Sequence, residues 1–435
     1  MRWRGFYGTA ALALLVVAGN AGARYLPAVG RAASWRDAAA FRRPSARIGS
    51  WGPGGWSWFA DPRAVRVVAP RDMTFVGWVD WAGGIRIGAY DAKSGTRHVY
   101  VVGQVYRDDH CNPAILVEPD KRLTVFWSGH NGPAMYYRTT RHPEDITSWG
   151  PTHTVPSQLP GRFGFTYANP VILPAERNRL YLFWRGALYI ADYERRSARG
   201  RWGGARELID NPGQRPYVKV DSNGRDTIAL AYTDGHPREV TSSVYYAAYR
   251  HGWLRHANGR LIAPLKGPPI APSRGDLVYD ARKTGVSAWV WDVALERGGH
   301  PTIVYATFPS ASHHEYWYAR FNGRRWVRHF LTAAGPTISP GTIETEYSGG
   351  LVLDHADPRT VYLSRQVHGW YEIEKWTTRT RGYSWKRTTV VRTPGADDVR
   401  PVVARGSAGG PMSLLWLSGH YGSYTTYGTS IDFLR

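Results

Sequence analysis

The chain has 435 residues with 55 Lys and Arg against 34 Asp and Glu, a formal charge of +21 that points to a polyanionic partner. The arginines are spread along the whole chain and no helix-turn-helix, RNA-recognition or zinc-finger pattern occurs, which excludes the usual nucleic-acid modules. A single cysteine excludes an internal disulfide, so a large core must hold the chain, and 20 Trp, 27 Tyr and 48 Gly suit short strands joined by tight turns.

In chain order, Arg2 and Arg4 precede an apolar run over 10–18 and the small residues Ala21-Gly22-Ala23, the pattern of a secretory signal peptide over 1–23. The run is short for a membrane span, no second one follows, and no cysteine sits where a lipid would attach. A soluble, secreted, extracellular protein without membrane association after cleavage is expected. Residues 24–54 read as an N-terminal segment and 55–435 as a single domain.

Seven apolar strands recur through that domain, at 75–78, 123–127, 180–184, 228–232, 302–305, 361–363 and 413–416. Each is followed by an aromatic strand, at 87–90, 135–137, 188–190, 244–246, 316–318, 371–373 and 424–427. Four-stranded units at this spacing predict an all-β, seven-bladed β-propeller, with one blade closed by strands from both termini. Thr378 to Trp385 looks like a degraded Asp-box turn, a signal for fold and not for activity.

One hairpin carries the chemistry. In DDHCNPAILVEPDKRLTVFWSGHNGPAMYY, residues 108–137, His110 and His130 each lie ten residues from a turn centred near 120, so the strands return both imidazoles to one end. Paired groups that titrate near neutrality serve proton transfer. The next blade repeats the layout: His110-Cys-Asn-Pro aligns with Tyr167-Ala-Asn-Pro, and Arg185 stands close to the place of His130. Cys111, alternating with His110 along an extended strand, reads as a buried small residue. A base, an acid and a guanidinium that neutralises a carboxylate are what proton abstraction from C5 of a uronic acid requires, and no metal or nucleotide is needed.

DDHCNPAI, WSGHNG, Tyr167-Ala-Asn-Pro, FWRG and Thr233-Asp-Gly-His-Pro237 resemble the BNR-repeat propellers that include the ulvan lyases and related glucuronan- or rhamnose-glucuronate-cleaving polysaccharide lyases. The resemblance implies a seven-bladed propeller that cleaves a uronate-containing polysaccharide by β-elimination, with His110, His130, Tyr167 and Arg185 as catalytic residues. Which histidine is the base, and whether Tyr167 is the acid, stay open. His236, Tyr245, Tyr246, Asn112 and Asn169 are candidates for substrate binding. Some relatives hold a structural zinc or calcium ion; no ligand set can be placed here, although His313-His314 is suggestive.

The expected partner is an acidic polysaccharide or oligosaccharide acted on by a monomer, with no nucleic acid. Two other functions compete. A sialidase-like hydrolase would use a carboxylate pair, for which Asp108 and Asp109 stand beside His110, or a Tyr/Glu couple with clustered arginines, which cannot be assembled. A non-catalytic lectin suits the charge and the aromatic residues equally. Ser418-Gly419-His420 echoes Ser128-Gly129-His130, so the second motif could be only a repeated turn.

Overall fold

Seven antiparallel sheets follow one another along the chain in the computed structural model, which describes residues 48–435 except 157, 158, 160–163 and 408. The signal-peptide reading lies outside the described residues. The first blade shows the plan: Ala64–Val67, Met73–Val79, Gly84–Asp91 and Arg97–Gln104 pair in sequence order. Every residue of Met73–Val79 is buried because flanking blades cover both faces of the sheet, whereas Arg97–Gln104 is largely exposed. That gradient explains why the second strand of each blade reads as an unbroken apolar run.

The seventh blade contains Asp397–Val403, Leu414–Tyr421 and Tyr427–Leu434, and its fourth strand is Ile48–Pro53, paired from Ile48↔Leu434 to Pro53↔Ser430. The ring is therefore closed by both ends of the described chain, as the repeat pattern requires. The propeller takes in residues ahead of the expected boundary at 55, because the backbone of Ile48–Pro53 completes a blade. The fourth blade is enlarged, with Leu261–Pro264 added outside and Asp276–Tyr279 paired to Val244–Arg250.

What positions the site is the segment after the closing strand. Residues 56–61 run through the middle of the ring, with Trp56, Trp58, Phe59 and Ala60 all buried. The Trp56 indole donates to the Arg400 carbonyl of the seventh blade at 3.1 Å, and the Trp58 indole to the Val290 carbonyl of the fifth at 3.3 Å. Trp58 also stacks on Trp291 with ring centroids 4.3 Å apart. Backbone N–H groups of Ser57 and Asp61 reach the Asp109 and Ala168 carbonyls at 2.9 and 3.2 Å. One short segment thus ties the starts of the second and third blades, where the candidate residues lie, to the opposite side of the ring.

Candidate active site

The two histidines arrive from opposite ends of the predicted hairpin. Ala114–Val117 and Leu123–Ser128 pair from Ala114↔Phe126 to Val117↔Leu123. His110 itself is not in an extended strand: Asp109–Cys111 forms one turn of 3-10 helix, capped by Asp108, whose Oδ1 accepts from the His110 N–H at 2.9 Å. His130 lies in the turn beyond the second strand, where its N–H donates to the Tyr106 hydroxyl at 2.8 Å. The imidazoles meet face to face, centroids 3.9 Å apart and planes within 6°.

A single carboxylate joins them. Asp108 places Oδ1 at 2.8 Å from His110 Nδ1 and Oδ2 at 3.0 Å from His130 Nδ1. Asp109 brings Oδ1 to 2.9 Å from His110 Nδ1, while its Oδ2 is held by Arg400 and accepts from the Tyr421 hydroxyl at 2.5 Å. Among the described residues neither Nε2 has a hydrogen-bond partner. Burial opposes the His110 imidazolium, but Asp108 and Asp109 outweigh it and raise its pKa to about 9. Burial first, then the His110 charge and Arg185, push His130 down to about 4.

Tyr167 and Arg185 complete the cluster. Tyr167 sits at a bulge between the pairs Thr166↔Arg185 and Asn169↔Phe183, with φ 64°, a left-handed conformation costly for an aromatic residue. The bulge turns its ring onto His110, centroids 5.3 Å apart, and the Arg185 guanidinium lies over it at 4.8 Å. Arg185 is fixed by Nη1 to the Tyr217 hydroxyl at 2.9 Å and Nη2 to Asn131 Oδ1 at 3.2 Å, with Tyr189 and Tyr217 rings on its other sides. Burial holds the Tyr167 phenol well above its ordinary pKa, so it is a neutral donor. Tyr424 of the seventh blade stands edge-on to both imidazoles, at 5.0 Å from His110 and 5.7 Å from His130.

The proposed binding residues fare differently. Asn112 and Asn169 are buried in the frame: Asn112 Oδ1 accepts from the Ser57 N–H at 3.0 Å, and Asn169 Nδ2 donates to the Phe59 and Tyr167 carbonyls at 2.9 Å. Their amides anchor the central segment, which corrects the reading of them as sugar ligands. Tyr246 is 1% exposed in the core, and Tyr245 is buried with its hydroxyl on Asp234 at 3.2 Å, so neither faces a sugar. His236 is 3% exposed; its ring packs on Trp289 at 4.6 Å and its Nδ1 accepts from the Arg238 N–H at 3.1 Å. Burial and neighbouring arginines hold it near pKa 2, a neutral strut behind Tyr217 and Arg185.

His420 is exposed within the strand Leu414–Tyr421, whereas His130 lies beyond its strand, so the shared Ser-Gly-His run does not give a shared environment. His313 and His314 point to opposite sides of their strand: His313 is exposed, and buried His314 directs Nε2 to the Thr345 carbonyl at 2.9 Å. Asp108, His110 and His130 have donor atoms within 4.8 Å of one another. Nearly parallel stacked rings cannot both aim an in-plane nitrogen lone pair at one ion, so the set does not fit a metal.

Sequence reasoning treated Asp108 only as a hydrolase alternative and passed over Tyr217, Asn131 and Tyr424. The Asp-Asp-His run, a capping residue two before the histidine, was the available signal for the first. Asn131 directly follows His130 in the WSGHNG run, whereas nothing local marks Tyr217 or Tyr424, which come from the fourth and seventh blades.

Residues 73–334, more than half of the chain, match the model of the BNR repeat-containing family, and the chain belongs to that family. Its fold is similar to that of an ulvan lyase, a polysaccharide lyase solved bound to -[GlcA(1-4)Rha3S]-, with TM-score 0.68, 15% identity, and coverage of 89% of this chain and 94% of that one. The polysaccharide lyase Uly1 is similar at TM-score 0.56 and 11% identity, covering 88% and 92%. The BP39L lectin from Burkholderia pseudomallei gives TM-score 0.48 and 12% identity over 86% and 98%. No curated protein sequence matches. At these identities the solved structures establish the propeller and leave the chemistry to the site.

Proposed function

We propose that the protein is a secreted polysaccharide lyase that cleaves an acidic glycan at a uronic acid by β-elimination. The observation that carries this is the stacked His110–His130 pair, each ring with a free Nε2, beside an Arg185 guanidinium fixed by Tyr217, Asn131 and Thr166. Arg185 would pair with the uronate carboxylate and draw off charge as the C5 proton leaves. The C5–H electrons then form the C4=C5 bond, the C4–O4 bond breaks, and the leaving O4 takes a proton. Base and acid on one side of the sugar suit a uronate whose H5 and O4 share a ring face, the glucuronate configuration. The ulvan lyase solved with a GlcA(1-4)Rha3S ligand supports a rhamnose-linked glucuronate as the first substrate to try.

A retaining or inverting hydrolase is disfavoured because Asp108 and Asp109 are committed to the imidazoles and to Arg400. The test is a screen of polyglucuronate, ulvan and rhamnose-glucuronate polymers for the ultraviolet absorbance of an unsaturated uronide. Absorbance that rises with native protein and is lost with Arg185→Ala is expected. Undiminished turnover in Arg185→Ala would refute the assignment.

A further inference from the structure

We propose, resting on the lyase reading above, that Asp108 is the positioning residue that aligns the histidine pair, and that Asp109 beside one ring and Arg185 beside the other divide it into an acid, His110, and a base, His130. Two stacked rings present their Nδ1 atoms side by side, and Asp108 meets one with each oxygen, at 2.8 and 3.0 Å. A carboxylate accepts only, so each Nδ1 carries the hydrogen and each Nε2 is turned away, available to substrate. One carboxylate thereby sets both ring orientations and both tautomers.

The two rings then differ in what else they touch. His110 has a second carboxylate, Asp109 Oδ1, at 2.9 Å, whereas His130 faces the Arg185 cation and has only Asp108. The pair's positive charge therefore settles on His110, and stacking on that cation keeps His130 neutral. In the neutral ring Nε2 bears a lone pair; in the charged ring Nε2 bears a proton. The other groups facing the pair are Tyr167 and Tyr424, with Arg400 and Tyr421 behind Asp109, Tyr106 and Cys111 behind Asp108, and Arg238 and Glu344 beyond Tyr424. None of these gives His130 a second counter-charge.

The step balances within this pair. The C5 proton passes to His130 Nε2, the C5–H electrons form C4=C5, the C4–O4 bond breaks, and O4 takes the proton of His110 Nε2. His130 ends protonated and His110 neutral, and exchange with solvent restores the starting state.

The experiment uses the whole protein with isotopically labelled histidine, following both imidazoles by NMR from acid to alkaline pH. Assignments come from His110→Gln and His130→Gln. In native protein one ring should remain protonated to near pH 9 and the other neutral to near pH 4. Asp108→Asn keeps the cap on the His110 N–H but removes the charge and offers only one acceptor oxygen. The His110 midpoint should then fall toward the ordinary value of about 6.5, whereas the His130 midpoint, which Asp108 pulls upward, should fall further below that value. The alkaline limb of kcat should follow His110 to lower pH, with kcat down on the order of 10²-fold and KM little changed.

Two midpoints near 6.5 in native protein, or an unchanged His110 midpoint in Asp108→Asn, would overturn the proposal. A split titration without any turnover would sink the lyase reading and leave the division standing. Turnover with unsplit titrations would do the reverse.

Discussion

Histidine is held between carboxylates at opposite ends of the blades' inner strands, and the two arrangements differ in one respect. His110 precedes the first strand of its blade and His130 follows the second; His355 lies in the turn between Leu351–Leu353 and Thr360–Val367, at the other end of an antiparallel pair. His355 directs Nδ1 to Asp221 at 3.1 Å and Nε2 to Asp292 at 2.9 Å, with Arg405 against the same groups. Exposure does not separate the sites, since the His355 side chain is 10% exposed and that of His110 7%. What separates them is a free nitrogen: both nitrogens of His355 are engaged, so it can brace Asp221 and Asp292 but cannot transfer a proton. Among the described residues His110 and His130 are each held by Nδ1 alone.

The comparison breaks most visibly by truncation. His130→Ala should lower kcat about 10³-fold, within the range of positioned acid–base catalysis, while leaving the thermal midpoint near native. His355→Ala should do the opposite, leaving kcat intact and costing roughly 3 kcal/mol in denaturant unfolding, because Asp221 and Asp292 lose a shared buried partner. If both variants behaved alike, the free nitrogen would not be the distinction.

The pH profile sharpens the same contrast. His110 carries its proton below about 9 and His130 is free of one above about 4. Activity therefore holds level across that window, falls below it as the base protonates, and falls above it as the acid empties. A profile with a single limb near pH 6.5 would show that the two rings do not act as an unequal pair.

Smaller effects are expected from the residues that build the frame. Asn112→Ala and Asn169→Ala should each cost about 1–3 kcal/mol through backbone groups of the central segment left unpaired, with KM unchanged. Tyr246→Phe, in the core, should leave KM alone as well; a raised KM in any of the three would return that residue to the substrate surface.

Much of this was legible in the sequence because propeller strands repeat. Seven apolar runs fixed the blade count, and equal distances from residue 120 brought His110 and His130 to one end. The alignment of Tyr167 with His110 and of Arg185 near the His130 place found two residues that the structure sets beside the pair, at 5.3 Å from His110 and within 4.8 Å of Tyr167. Asn112 and Asn169 were misread because matching positions in adjacent blades can be equivalent for a shared structural task. Here that task is gripping residues 56–61, whose path through the ring has no local signature. Tyr424 and Arg400 reach the site from the seventh blade, a contact across some 300 residues of chain. Repeat spacing specifies blades; it does not specify what crosses their centre.

The most direct test of the account is the mass of the oligosaccharides released from polyglucuronate by the native protein. The account predicts products lighter by one water than the corresponding hydrolysis fragments, each with an unsaturated non-reducing end. Products of full hydrolytic mass, or firm binding of the polymer with none released from any uronate polymer tried, would contradict it.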